Sequence, residues 1–107
     1  MARAYTGSSV DLTSTDITVL YTCPSVTTAI VTSILVSEDS GNADTISLTL
    51  TNAASAVFSL YKVKAVSANT TVELLTRPLV VEESEILKIQ AATAHRLHVV
   101  ASMLELS

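Results

Sequence analysis

The sequence predicts an all-β protein, a single jelly-roll-like β-sandwich of eight or nine short antiparallel strands. Three observations support this prediction. Apolar residues recur with a period of two along most of the chain, which is the repeat of a β-strand. The apolar residues are mainly Val, Ile, Leu and Ala, with aromatic residues at only 4%, and β-branched side chains favour a pleated sheet. Polar turn segments separate the apolar runs at short, regular intervals, as in sandwiches and jelly rolls.

The segment 45–51 shows the alternation most clearly. Ile46, Leu48 and Leu50 point to one side of the chain, and the Ser and Thr residues between them point to the other. A helix would place its apolar residues three and four positions apart. The segment is therefore predicted to be a strand with one buried face.

The remaining strands are assigned by the same alternation and by the turns between them. In chain order the predicted strands are 17–21, 28–37, 45–51, 56–63, 70–75, 79–81, 86–91 and 96–106. Residues 5–12 are either a ninth strand or part of an extended N-terminal arm over 1–14. All of these segments belong to one domain that spans 1–107, in agreement with the usual size of a domain.

One segment contains residues that favour a helix. Several good helix formers occur between 84 and 97, and Glu85 and Lys88 are spaced so that they could pair on a helix surface. However, Leu87 and Ile89 continue the period of two directly from the preceding turn. This pattern favours a strand over 86–91.

The charge balance excludes several classes of partner. The net charge is −4, and the six Lys and Arg residues are scattered, whereas nucleic-acid binders carry a basic surface. The acidic balance also disfavours an anionic membrane. The longest apolar stretch, 29–36, is interrupted by Thr32 and Ser33 and is far shorter than the ~20 residues of a spanning helix. The start of the chain lacks the apolar core of a signal peptide. We therefore expect a soluble protein that binds neither nucleic acid nor membrane.

Two predicted strands are apolar on both faces, which indicates that either the N-terminal arm or a neighbouring subunit covers one of those faces. In 28–37 the alternation groups Ala29, Val31 and Leu35 on one face and the remaining apolar residues on the other. The strand 96–106 is similar. We therefore predict a homo-oligomer, a dimer or a trimer. The candidate interface residues are Tyr5, Val10, Leu12, Val31, Leu35, Val100, Leu104 and Leu106.

The histidines and the cysteine do not form a recognisable reactive site. His95 and His98 are three apart, and on a strand this spacing sends them to opposite faces. Cys23 is the single cysteine, so it cannot form an internal disulfide, and no base adjoins it in sequence. We interpret Cys23 as a structural thiol and the two histidines as loop and surface residues.

The acidic segments are interpreted as solvated turns. The carboxylates within 82–85 lie in one turn, whereas glycoside hydrolysis needs two carboxylates across a cleft. The segment 39–44 lacks the residue order of a calcium-binding loop. Only two glycines occur in the chain, so phosphate-binding loops are absent. We therefore expect no enzyme activity, no metal and no cofactor.

Several segments resemble the small virion proteins of tailed bacteriophages. These are Tyr-Thr-Cys-Pro at 21–24, Ala-Ile-Val-Thr-Ser-Ile at 29–34, the alternating strand 45–51, Glu-Leu-Leu at 73–75, the Leu-x-x-x-Glu turn at 79–83 and Val-Ala-Ser-Met-Leu-Glu at 100–105. The resemblance covers about residues 15–106. It implies a β-sandwich or jelly-roll subunit of a phage particle, found in the virion and assembled in the host cytoplasm.

Two roles in the virion are consistent with this resemblance. One is a capsid decoration or cement subunit that binds the major capsid protein and stabilises the head shell. The other is a neck or tail adaptor that binds other virion proteins. A function from another class, a small ligand- or carbohydrate-binding jelly roll, is disfavoured because sugar sites use aromatic side chains, and this chain has one Phe, three Tyr and no Trp.

Overall fold

A computed structural model describes residues 3–107 of the chain. These residues form nine strands and no helix. The strands are β1 (Arg3–Asp11), β2 (Thr18–Thr22), β3 (Thr28–Glu38), β4 (Asp44–Thr51), β5 (Val57–Val66), β6 (Thr71–Glu73), β7 (Leu79–Val81), β8 (Ile86–Ala91) and β9 (Leu97–Leu106). The all-β prediction is confirmed. The segment with helix-forming residues contains β8, as the period of two indicates.

The strands form two antiparallel sheets with jelly-roll connections. The five-stranded sheet has the order β1-β9-β3-β6, with β7 also paired to β3, and the four-stranded sheet has the order β2-β8-β4-β5. Apart from the β4–β5 hairpin and the β6–β7 step along one edge, each connection crosses from one sheet to the other. If β6 and β7 are taken as two halves of one strand, this is the eight-strand order of a jelly roll. The predicted sandwich and jelly-roll topology are both confirmed.

The segment that the sequence assigned to a strand or an arm is a strand. Residues Arg3–Asp11 pair with β9 without a register shift. The Ser8 hydroxyl donates to the Leu20 carbonyl oxygen at 2.6 Å, which ties β1 to β2 of the other sheet. Residues 1 and 2 of the predicted arm lie outside the described residues.

The core lies between the two sheets and is almost entirely aliphatic. Inward-facing residues alternate with outward-facing ones along β3, β4, β8 and β9. Such alternation is expected where one face of each sheet packs against the other sheet. The largest fully buried apolar side chains are Leu12, Val31, Ile34, Val36, Ile46, Leu48, Leu74, Leu87, Ile89, Leu97 and Met103.

A β-bulge in β3 changes which residues of that strand face the core. Val31 pairs with Met103, but Ser33 pairs with Ser102, so Thr32 is an extra residue in β3. An extra residue shifts the alternation by one position. Beyond the bulge Ile34 is buried and Leu35 points outward. The predicted grouping of Leu35 with Val31 on one face is therefore wrong.

A buried carboxylate organises one end of the sandwich. Glu38 ends β3 and accepts hydrogen bonds from the backbone N–H groups of Ser40, Gly41 and Asn69 and from the Ser40 hydroxyl. Burial alone would raise the pKa of Glu38, but these hydrogen bonds outweigh burial and lower the pKa to about 2. Glu38 thereby fixes the turn after β3 to the turn before β6.

Candidate interaction surface

The predicted interface residues fall into two groups in the structure. Tyr5, Leu35, Val100, Leu104 and Leu106 face outward on the five-stranded sheet, because the residues that flank them on β3 and β9 point into the core.

Three of the predicted interface residues face the core instead. Leu12 and Val31 are buried between the sheets, and Val10 packs against the same core. Leu12 and Val31 are therefore core residues that cannot contact a partner in this fold. Val31 precedes the bulge in β3 and points inward, whereas Leu35 lies beyond the bulge and points outward.

Four apolar side chains form a continuous row across the outward face of the five-stranded sheet. The register places Tyr5 opposite Leu104, Leu104 opposite Ile30 and Ile30 opposite Val80. Directly opposite residues of antiparallel strands share a face and contact each other. Tyr5 is 89% exposed and Val80 is 52% exposed, and the two between them are half-buried. We call these four residues the outer row.

A second, shorter apolar pair lies on the same face. Val100 of β9 is opposite Leu35 of β3, and both are exposed by 40% or more. Between this pair and the outer row lie Ser102 and Ser33, which are opposite each other, and Gly7 beyond them on β1. The outward face of this sheet is therefore apolar at two levels. The residues between them are small or polar, and the Ser33 hydroxyl donates to the carboxylate of Glu73, which lies opposite Leu35.

Sequence reasoning missed two members of the outer row, Ile30 and Val80. Ile30 was assigned to the second face of its strand, and Val80 lies in a strand of only three residues. The alternation alone gave no signal that these residues align, since the alignment depends on pairings with strands far away in sequence.

A separate group of exposed apolar residues follows the edge strand β5. Val57, Phe58 and Val63 are each more than half exposed. The strand also carries Lys62 and Lys64, and the Lys64 ammonium lies 6.0 Å from the centre of the Tyr61 ring, at the limit of a cation–π contact. Two register shifts interrupt the pairing of β5 with β4, so this edge is irregular and positively charged.

The two histidines, interpreted from the sequence as loop and surface residues, lie in a loop and on a strand, and the one on the strand contacts carboxylates. His98 lies on the outward face with its Nε2 3.2 Å from an Asp11 oxygen and its Nδ1 3.7 Å from an Asp39 oxygen. His95 lies in the preceding loop, where its backbone N–H donates to the Leu12 carbonyl. Among residues 3–107 no group of three or more His, Cys, Asp or Glu side chains could hold a metal ion.

The cysteine is enclosed in the core. Cys23 is almost fully buried, and its thiol donates to the Thr27 carbonyl oxygen at 3.3 Å. Burial raises the pKa of Cys23, which disfavours the reactive thiolate. The neighbouring Tyr21 hydroxyl donates to Glu105 at 2.5 Å, and burial together with this hydrogen bond raises the pKa of Tyr21. This hydrogen bond joins β2 of one sheet to β9 of the other.

The predicted acidic turns make hydrogen bonds within the fold. Glu85 accepts from the Glu82 backbone N–H at 2.8 Å and Glu83 accepts from the Val26 N–H. Asp44 is buried and accepts from the Thr93 N–H at 3.1 Å. These carboxylates order loops in the same way as Glu38.

Comparison with known proteins assigns no family to the chain. No family model matches it, and no curated protein matches it.

The structure of residues 3–107 contains no helix that could span a membrane.

Proposed function

We propose that this protein is a structural subunit of a bacteriophage particle, a decoration or cement subunit that binds the outside of the head shell and stabilises it. The observation that carries the proposal is the outer row. Tyr5, Leu104, Ile30 and Val80 lie side by side across four strands of one sheet, where they are accessible to a partner.

The outer row favours binding because it is contiguous. Single exposed apolar residues are ordinary on soluble proteins, but contiguous apolar surface is typical of an interaction site. Burying such surface contributes about 25 cal/mol per Å² of apolar area removed from water. Part of this gain is offset by the loss of rotational and translational freedom on association.

A decoration subunit stabilises a shell if it binds capsid proteins only after they have assembled. A subunit that binds only the assembled shell, and not the separated capsid proteins, shifts the equilibrium toward the shell by mass action. The jelly roll suits this role because its nine strands are already paired in two sheets, so their backbone need not be ordered on binding.

The partner class comes from the sequence resemblance to small phage virion proteins. On that basis the expected partner is the major capsid protein. A neck or tail adaptor would bind other virion proteins and could use the same adhesive face, but it would occur as one ring with few copies. Copy number therefore distinguishes the two roles.

The experiment is quantitative densitometry or mass spectrometry of purified particles from a phage that carries this gene. A decoration subunit is expected at a copy number similar to that of the major capsid protein. A copy number of about a dozen or fewer would assign the protein to an adaptor ring. Absence of the protein from purified particles would refute the virion role.

A further inference from the structure

Strand β1 is the most regular free edge among the described strands. The sheets have edges at β1, at β6 and β7, at β2 and at β5. Strands β6 and β7 have three residues each, and β2 and β5 have register shifts. Short or bulged edges resist pairing with another chain. Strand β1 has nine residues and no register shift, so it is the edge best suited to pair with another strand.

The free edge of β1 presents the backbone groups of its odd-numbered residues. Leu12 follows β1 and its N–H donates to the Leu97 carbonyl at 3.0 Å, toward β9. Backbone groups of successive residues in a strand point to opposite sides. The N–H and C=O groups of Tyr5, Gly7 and Ser9 therefore point away from β9, and all three residues are exposed.

The sequence of β1 is suited to pairing with itself. If two copies align antiparallel about a two-fold axis at Gly7, Tyr5 of each copy lies opposite Ser9 of the other. In the same register Arg3 lies opposite Asp11, which places opposite charges together at both ends of the strand pair. The outward-pointing backbone groups of Tyr5, Gly7 and Ser9 then face those of Ser9, Gly7 and Tyr5 in the other copy and form the hydrogen-bond ladder.

We propose that a second copy of this chain binds at the free edge of β1, antiparallel across a two-fold axis at Gly7, so that the two five-stranded sheets become one continuous sheet. The charge complementarity of Arg3 and Asp11 selects this occupant and this direction. An in-register parallel alignment would place Arg3 beside Arg3, and an antiparallel pair of β5 strands centred on Val63 would place Lys62 opposite Lys64.

Side-chain packing at the axis agrees with this arrangement. Tyr5 is 89% exposed and is the diagonal neighbour of Gly7 in the partner, within reach of an aromatic ring. A glycine there leaves space for the ring and is shielded by it. On the shared sheet face the outer row of each copy then lies level with Ser9, Val100 and Leu35 of the other copy, because Tyr5 is opposite Ser9. The dimer does not depend on the proposed function, since this edge can pair whether or not the outer rows bind a shell.

Variants with one introduced cysteine, in addition to the buried Cys23, test the register. Residues opposite each other in a hydrogen-bonded antiparallel pair have Cα atoms about 5.5 Å apart, which suits a disulfide. The variant Gly7→Cys should therefore cross-link as a dimer when oxidised glutathione is supplied as the oxidant. Within one copy the substitution does not disturb the fold, because an added Cβ at Gly7 would meet only the Ala101 carbonyl oxygen at 3.5 Å.

Two controls accompany the cross-linking. The variant Ser9→Cys should cross-link poorly. Position 9 of one copy lies opposite Tyr5 of the other, and position 9 of that other copy is four residues further along the strand, about 13 Å away. The wild-type chain should not cross-link, because Cys23 is buried. Equal cross-linking of the Gly7→Cys and Ser9→Cys variants would overturn the proposed register.

Sedimentation velocity at micromolar to sub-millimolar concentrations tests the association itself. The wild-type chain is expected to show a monomer–dimer equilibrium. Arg3→Asp or Asp11→Arg alone should raise the dimer Kd on the order of tenfold, and the double variant should restore it. A wild-type chain that stays monomeric at every concentration overturns the proposal, as does a double variant that dimerises more weakly than either single one. Melting curves of all variants verify that each is folded.

Discussion

The β-bulge in β3 makes a sharp prediction about two adjacent residues. Ile34 is fully buried and Leu35 is 40% exposed, although both are apolar isomers of the same size. Substitution of either by Ala removes the same number of carbon atoms. For Ile34→Ala the loss of buried apolar groups at ~0.8 kcal/mol each, with the cavity left behind, gives about 3 kcal/mol of destabilisation. For Leu35→Ala we expect about 1 kcal/mol or less, because no enclosed cavity forms.

Urea unfolding followed by circular dichroism measures both variants. With a slope of roughly 1–2 kcal/mol per molar urea for a domain of this size, Ile34→Ala should lower the midpoint by about 2 M. Leu35→Ala should lower it by less than about 1 M, with the slope unchanged in both variants. A strand without the bulge would bury Leu35 and expose Ile34. Greater destabilisation by Leu35→Ala would therefore refute the position of the bulge.

Two further predictions concern buried polar groups. The folded-state pKa of Glu38 is lowered, so its contribution to stability is complete above its ordinary pKa of 4.5 and is lost as the pH falls toward 2. The stability difference between wild type and Glu38→Gln, measured by urea unfolding, should shrink over that range, and a constant difference would contradict the assigned pKa. Cys23 is buried and its pKa is raised, so a thiol reagent such as dithionitrobenzoate should label it only at the rate of opening or unfolding. Labelling of the folded protein as fast as in denaturant would contradict its burial.

Local patterns were sufficient to predict most strands. The predicted strand 86–91 coincides with β8, and 45–51 differs from β4 by one residue. In these segments the alternation is regular and the turns have clear chemistry, so local sequence determines the result. The predicted sandwich also agrees with the two observed sheets, because short strands separated by frequent turns favour this architecture.

The faces of β3 and the outer row were not accessible to the same reasoning. The bulge at Thr32 is defined by the pairing of β3 with β9, about seventy residues away along the chain. The outer row brings together residues of four strands, and its continuity depends on three separate registers. The role of the cysteine could be predicted from the sequence, since Cys23 was expected to be structural and is buried.

The contribution of the outer row to particle binding is most directly measured with two matched valine substitutions. Val80 belongs to the outer row and is 52% exposed, and Val19 is 49% exposed on the outward face of the other sheet, opposite Lys88. Purified Val80→Asp and Val19→Asp proteins, both verified to be folded, are incubated with particles that lack the protein and are then sedimented. We predict that Val19→Asp binds like wild type and that Val80→Asp binds at least about tenfold more weakly, since it places a charge in an apolar contact. Equal binding of Val80→Asp and wild type would contradict the assignment of the outer row as the binding surface.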